Sequence, residues 1–341
     1  ACSITVREEG YLRVVHFDTE EEHDTLTVGS HGKFSGTAGP RSRNVTAGQQ
    51  ITWRSDLSEQ KSAWSICIAP PAVPCAATVP WCSCKSGTGT YTLSANCALT
   101  AVVVVTPGAT LHLATLGDVL ASTGPAFISV GDATSSFSLF EVYGNLTLVD
   151  LVLTGGKSSL GGCLFVSGDA RAHLVGTTIR RCTATSRGGA AYVEGALASL
   201  VLEGAILERN SAVGFGGGVY VGGAARMVVI ASRASSSLTA VTILRNNTAT
   251  MSGGGVVIQQ SVLEVLGNGA HLLLYRNSAG SDGGAMLSFD GAAMSVSSGG
   301  VIKAKDNRAI FNGGGLLIHG KGGTTLTVTG IGTRLMLEGN I

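Results

Sequence analysis

A short pattern that recurs through most of the chain places the strongest constraint on its fold. From about residue 90 the sequence repeats itself, and six copies share a polar turn, a pair of glycines and an apolar strand. The copies are Gly161-Gly-Cys-Leu-Phe-Val, Gly188-Gly-Ala-Ala-Tyr-Val, Gly217-Gly-Val-Tyr-Val, Gly254-Gly-Val-Val-Ile, Gly283-Gly-Ala-Met-Leu and Gly314-Gly-Leu-Leu-Ile. Counted at the second glycine, the copies are 27, 29, 37, 29 and 31 residues apart, and the long step contains a Ser-rich insertion that predicts a surface loop. Such a period indicates a solenoid.

An asparagine marker supports the same interpretation. It stands seven or eight residues before the second glycine of the later pairs, at Asn210, Asn247, Asn277 and Asn307, and Cys182 takes this place in an earlier copy. Parallel strands stack about 4.8 Å apart, so inward asparagines at one corner can form a hydrogen-bonded ladder. Paired glycines allow positive φ and close approach at another corner. Because the strands are β-branched and lack helical spacing, the pattern predicts an all-β chain with a parallel β-helix of about nine coils.

The repeats also resemble a known family. Leu244-Arg-Asn-Asn-Thr-Ala, followed by Gly253-Gly-Gly-Val-Val-Ile, is similar to the repeats of the polymorphic outer-membrane, adhesin-type β-helix family. The resemblance covers about residues 140–320. It implies a right-handed parallel β-helix that is exposed on a cell surface and serves adhesion or assembly.

The first 69 residues predict a separate β-sandwich. Short alternating runs, such as Tyr11-Leu-Arg-Val-Val and Thr25-Leu-Thr-Val, are separated by turn residues. Phe17-Asp-Thr-Glu, Ile51-Thr-Trp-Arg-Ser-Asp and Trp64-Ser-Ile-Cys resemble a shortened CUB-like module over residues 2–69. We therefore expect a CUB-like β-sandwich over 1–69, a Pro- and Cys-rich linker and cap over 70–97, and the β-helix over 98–341.

The CUB resemblance implies a calcium site. In calcium-binding members a Glu and two Asp hold the ion, and the matching positions here are Glu20, Asp24 and Asp56. Clustered carboxylates suit Ca²⁺, although a solvated acidic turn and a loop cap at Asp56 would explain the same residues. Trp53 and Trp64 could stack on a sugar, but the interpretation as sandwich core is favoured.

The cysteines predict disulfides in an oxidising compartment. Zinc is the alternative, but the gap in Cys82-Ser-Cys84 is shorter than the usual ligand spacing. Spacing alone does not determine the pairing; we expect Cys2–Cys67, bridges among Cys75, Cys82, Cys84 and Cys97, and Cys163–Cys182.

Three sequons favour a secretory route and an extracellular or cell-surface location. Asn44, Asn145 and Asn246 each begin an Asn-x-Ser/Thr triplet, so N-linked glycans are expected. The formal net charge is +1, and no basic patch predicts a nucleic-acid partner. The longest apolar run, 98–106, is too short to span a bilayer.

The acids of the repeats do not suggest catalysis. Glycoside hydrolysis needs two facing carboxylates, whereas the acids here are scattered. Glu203 and Glu208 could meet across a turn but are interpreted as solvated, and His112, His173, His271 and His319 are interpreted as isolated.

We expect a non-enzymatic structural or adhesive glycoprotein of a surface coat, fibre or flagellar-hair-like assembly. It requires no cofactor, with calcium as a candidate ligand, and its partners are copies of itself or other surface glycoproteins. The last residues, Thr324-Leu-Thr-Val and Leu335-Met-Leu-Glu-Gly-Asn-Ile, still have the pattern of coil strands, and an open coil can template another subunit. The alternatives are a glycan- or protein-binding module with a calcium-assisted CUB-like head and, third, a polysaccharide lyase or hydrolase.

Overall fold

The computed structural model describes residues 2–20, 23–35, 39–40, 43–55, 63–69, 81–116, 124–132, 134–231, 241–320 and 322–341. The chain divides into two compact units, 1–73 and 74–341. Asp56, Cys75 and the Ser-rich insertion at 232–240 lie outside the described residues.

The first unit contains two antiparallel sheets. The first sheet has the strand order Cys2–Thr5, Gln50–Arg54, Thr25–Val28 and Lys33–Phe34. The second sheet has the strand order Asn44–Val45, Gly10–Asp18 and Ala63–Ala69. A 3-10 helix spans Gly29–His31. Both sheets contribute to one apolar core that includes Leu12, Leu26, Val45 and Ile51. Trp53 and Trp64 pack against this core, with ring centroids 5.8 Å apart.

The second unit begins, in the described part, with the four-residue helix Trp81–Cys84. Trp81 is 2% exposed, belongs to the core of this unit and lies 6.3 Å from Phe140 in a stacked arrangement. The strands Gly89–Leu93 and Cys97–Leu99 follow, and both pair in parallel with the next coil. The first of these strands lies within the segment 70–97 that the sequence assigned to the linker, because Thr-Tyr-Thr-Leu already alternates between exposed and more buried positions.

Four parallel sheets make up the rest of this unit, and we number them in the order in which the chain visits them from Asn145 onward. Sheet 1 contains Gly89–Leu93, Thr110–Thr115, Asn145–Val149, Arg171–Val175, Ser199–Glu203, Arg226–Ile230, Val262–Leu266, Ala293–Ser297 and Thr325–Thr329. Sheet 2 contains Cys97–Leu99, Ala126–Val130, Leu151–Thr154, Thr178–Arg180, Ile206–Glu208, Val241–Arg245, His271–Tyr275, Val301–Lys305 and Arg334–Glu338. Sheet 3 contains Lys157–Leu160, Thr183–Arg187, Ser211–Ala212, Thr248–Ala249, Ser278–Ala279 and Arg308–Ala309. Sheet 4 contains Val103–Val105, Phe140–Val142, Leu164–Ser167, Ala191–Glu194, Val219–Gly222, Val256–Gln259, Met286–Phe289 and Leu316–His319.

Each passage through the sheets forms one coil, and each strand pairs with its equivalent in the next coil. This stacked all-β arrangement is compatible with a parallel β-helix, and sheet 1 has nine strands among the described residues. In sheets 1 and 2 buried and partly exposed positions alternate, so one face of each strand fills the core. The core is mainly Leu, Val, Ile and Ala.

The structure corrects the register of the glycine pairs. The equivalent first glycines are 161, 188, 216, 253, 283 and 313, all with φ between 60° and 70°. At the next position, a Cβ on Gly162, Gly189, Gly217, Gly254 or Gly284 would lie 2.1–2.5 Å from the carbonyl oxygen of the equivalent residue one coil on. The glycines at 218, 255 and 315, counted above as second members, are instead third members. They are equivalent to Cys163, Ala190 and Ala285.

Sheet 4 differs from sheets 1 and 2 because both of its faces are buried over several coils. Phe165, Tyr192 and Tyr220 are in register on the face opposite the core and are 2–3% exposed. Their rings stack with centroids 5.6 and 5.2 Å apart. Arg187 lies over Tyr220 and donates a hydrogen bond to its hydroxyl at 3.3 Å. Burial raises the pKa of Tyr192, so the stack stays uncharged at neutral pH.

Candidate functional site

The predicted asparagines form one continuous file in the core. Asn210, Asn247, Asn277 and Asn307 are at most 1% exposed. In each step, Oδ1 of one asparagine accepts hydrogen bonds from the backbone N–H and from Nδ2 of the asparagine one coil before, at 2.9–3.0 Å. Nδ2 also donates to a carbonyl oxygen of the preceding coil at 2.9–3.1 Å. We call this file the asparagine ladder.

The ladder extends beyond the residues that the sequence marked. Asn340 accepts from Asn307 N and Nδ2 and donates to Ala304, so it is a fifth member. Its signal was its spacing of 33 residues from Asn307, which is close to the steps between the other ladder members. At the other end, the backbone N–H of Cys182 donates to Asn210 Oδ1. A disulfide joins Cys182 to Cys163, so a covalent bond lies at the start of the asparagine ladder.

A left-handed corner precedes each ladder position. Asn246, next to Asn247, has φ of 54°, and Arg209, Arg276 and Asp306 have similar values. Asn246 therefore points outward because of this corner. All three sequon asparagines are exposed: Asn44, Asn145 and Asn246.

A second disulfide lies near the first coil. Cys82, in the helix 81–84, is joined to Cys97, which is one of the bridges allowed by the expected set. The side chains of Cys2, Cys67 and Cys84 are not among those described. Disulfides are typical of oxidising compartments such as the extracellular space. In the part of the chain that the structure describes, no helix has the length and apolar content needed to cross a bilayer.

Two of the three calcium candidates lie in one tight turn of the first unit. The Asp24 N–H donates to the Glu20 carbonyl oxygen at 3.1 Å. Asp24 is 7% exposed, and its Oδ1 atom has no hydrogen-bond partner among the described residues. A buried carboxylate oxygen without a donor suits a cation. Within the described residues no cluster of three or more metal-ligating side chains is present, and Asp56 lies outside them.

The two acids considered for catalysis lie in different sheets and have different partners. Glu203, in sheet 1, is 6% exposed, and its carboxylate lies 3.2 Å from His173 Nε2. Glu208, in sheet 2, forms a salt bridge of 2.7 Å with Arg245. The interpretation of Glu203 as solvated and of His173 as isolated was therefore wrong. Desolvation lowers the pKa of His173 in spite of this pair.

A groove lies on the outer face of sheet 2. It has a volume of about 450 Å³ and is lined by Val241, His271, Leu272, Leu273, Val301, Lys303, Gly332, Arg334 and Met336. Most of these residues belong to two outward columns, because the equivalent positions of successive coils stand beside one another. We call this feature the sheet 2 groove.

The groove combines apolar walls with positive charge. Lys303 Nζ lies 2.8 Å from Glu338 Oε1, and this hydrogen bond lowers the pKa of Glu338. Within the described part of the chain, no carboxylate lines the groove itself. Among the described residues, Arg334 forms no salt bridge.

Comparisons of the chain with protein-family models, with curated proteins and with solved structures give no match. The asparagine ladder, the exposed sequons, the buried Asp24 carboxylate and the sheet 2 groove are therefore interpreted from their own geometry.

Proposed function

We propose that the chain is a non-enzymatic, extracellular structural or adhesive glycoprotein. It forms part of a surface coat, fibre or flagellar-hair-like assembly, together with copies of itself or with other surface glycoproteins. Its second unit is a right-handed parallel β-helix, as in the adhesin-type repeats that it resembles. Its first unit is a CUB-like module.

The observation that carries this proposal is the asparagine ladder. From Asn210 to Asn340, every coil is joined to the next by the same hydrogen bonds, which are buried up to Asn307 and part-buried at Asn340. In a solenoid, stability is approximately a sum of such nearest-neighbour terms. The interior thus specifies a stiff rod, while the outward columns remain available for contacts with partners.

Three further observations support an extracellular role in assembly. The two disulfides fit an oxidising compartment. The three sequon asparagines are exposed, as glycosylation requires. A net charge of +1 provides little repulsion between copies of the chain.

Expression in a eukaryotic secretory host tests the proposal. We expect secretion with N-glycans that an N-glycosidase removes, and a matched loss of mass in each of the variants Asn44→Gln, Asn145→Gln and Asn246→Gln. Sedimentation velocity of the glycosylated chain should show assembly that increases with concentration, or saturable binding to surface glycoproteins. A chain that stays monomeric, binds no glycoprotein and receives no glycan would overturn the proposal.

A calcium-assisted binding head is the second candidate, and the Asp24 carboxylate favours it. Glu20 and Asp24 share one turn, and Asp24 Oδ1 is buried without a donor among the described residues. If this unit binds a glycan or protein partner through Ca²⁺, these two residues would hold the ion with further oxygen ligands.

Calorimetry with CaCl₂ separates this candidate from a purely structural first unit. We expect saturable calcium binding by the full chain, its loss in Asp24→Asn, and no change in Asp169→Asn, an exposed acid of the second unit. Absence of binding to the unaltered chain, or equal binding by both variants, would exclude this candidate.

A further inference from the structure

We propose that the sheet 2 groove binds a single-chain amphiphile with an anionic head group, such as a free fatty acid. The apolar chain would lie along Leu273, Val301 and Met336, and the carboxylate would meet Arg334. This site is independent of the structural role proposed above.

The walls of the groove fit an apolar ligand. A volume of about 450 Å³ lies within the roughly 300–1,000 Å³ of small-molecule sites, which are mostly apolar with few polar groups. Val241, Leu273, Val301 and Met336 provide aliphatic and thioether surface from four successive coils. None of the described residues that line the groove has a phenyl, phenol or indole ring, so they offer a sugar ring no stacking partner.

The charges fit an anion at one end. Lys303 is held by Glu338, so its stem covers apolar surface while its charge is already compensated. Arg334 lines the groove, is exposed and has no salt bridge within the described part of the chain. Its guanidinium matches the geometry of a carboxylate. His271 stands in the same outward column, two coils before Arg334, and adds no negative charge.

The concave shape favours a single chain over a bilayer surface. Apolar residues line the groove itself, whereas the third outward column of sheet 2 carries Arg245, Tyr275, Lys305 and Glu338. Insertion into a membrane would bring these charged neighbours to an apolar phase, which is costly. One acyl chain in the groove leaves them in water.

Calorimetric titration of the full chain with sodium decanoate, below its micelle concentration, tests the proposal. We expect saturable one-to-one binding, weaker binding of decan-1-ol and a loss of affinity as salt is added. Arg334→Gln should weaken decanoate binding about fivefold, because an exposed ion pair contributes modestly. Leu273→Ser should weaken it about tenfold through the lost apolar contact.

Matched variants on sheet 1 serve as controls. Arg171→Gln removes an exposed arginine and Val228→Ser removes a partly exposed outward valine, both outside the groove. Both should bind decanoate as the unaltered chain does, and circular dichroism should show the same fold in all four variants. If Leu273→Ser fails to fold, Arg334→Gln and its control still decide the matter.

Four results would overturn the proposal. The first is the absence of saturable decanoate binding, and the second is an affinity for decan-1-ol equal to that for decanoate. The third is an equal loss of decanoate affinity in the groove variants and the control variants. The fourth is binding to anionic phospholipid vesicles without binding of monomeric decanoate.

Discussion

Replacing Asn277 with alanine removes the centre of the asparagine ladder. Asn277 Nδ2 donates to Leu244 O and to Asn307 Oδ1, and Asn277 Oδ1 accepts from Asn247 N and Nδ2. The variant leaves the buried Asn247 N–H without this acceptor, which costs about 1–3 kcal/mol, and loses further hydrogen bonds of about 1 kcal/mol each. We expect a decrease in the free energy of unfolding of about 4 kcal/mol, which is large for one substitution.

Two matched variants make the assay specific. Asn340→Ala removes a ladder member that is only partly buried, so water can replace some of its bonds and we expect a loss of about 1–2 kcal/mol. Ser278→Ala, next to the ladder, should change stability by less than about 0.5 kcal/mol. Urea unfolding followed by circular dichroism measures all three. A loss below about 1 kcal/mol for Asn277→Ala, or a loss no larger than that of Asn340→Ala, would refute the reasoning.

Three further predictions concern other parts of the second unit. Replacing both Cys163 and Cys182 with serine should lower the free energy of unfolding by about 3 kcal/mol in denaturant titration. A reductant should then lower the free energy of unfolding of this variant by less than it lowers that of the unaltered chain. Gly254→Ala should destabilise the chain by more than Gly267→Ala. A Cβ at 254 would lie 2.5 Å from a carbonyl oxygen, whereas at 267 it would meet no atom and only the φ of 99° opposes alanine; equal melting temperatures would contradict this. Desolvation lowers the pKa of His173, so near and below pH 6.5 the unfolded chain binds more protons than the folded chain, and the free energy of unfolding should fall as the pH falls through this range. The variant His173→Gln should flatten this dependence of stability on pH. An unchanged dependence would count against His173 as its cause.

The repeat was predictable because its corners allow few residues. Positive φ restricts the sequence to glycine at 216, 253 and 283. Close contact with the next coil does the same at 217, 254 and 284. At 247 and 277 the buried side chain at the corner must both accept and donate hydrogen bonds, which restricts the residue to asparagine. These requirements recur once per coil, so they are visible as a period.

Features without such a requirement were not predictable. Asn340 lies outside the six copies of the glycine motif. The aromatic stack on sheet 4 depends on the register that aligns Tyr192 with Tyr220 in successive coils. The pairing of His173 with Glu203 joins residues one coil apart whose separation follows from turn length. The sheet 2 groove likewise combines residues from four coils, since only the register brings them together.

Engineered cysteine pairs test the coil register most directly. Thr248 and Ser278 are in register in adjacent coils of sheet 3, and Arg308 is in register with Ser278 one coil further on. Adjacent strands lie about 4.8 Å apart, and a disulfide requires Cα atoms within about 7 Å. The pair Thr248→Cys with Ser278→Cys should therefore form a disulfide, detected by mass spectrometry of a non-reduced digest, whereas Thr248→Cys with Arg308→Cys should not. A bond in the second pair, or its absence in the first, would contradict the stacked coils and the asparagine ladder.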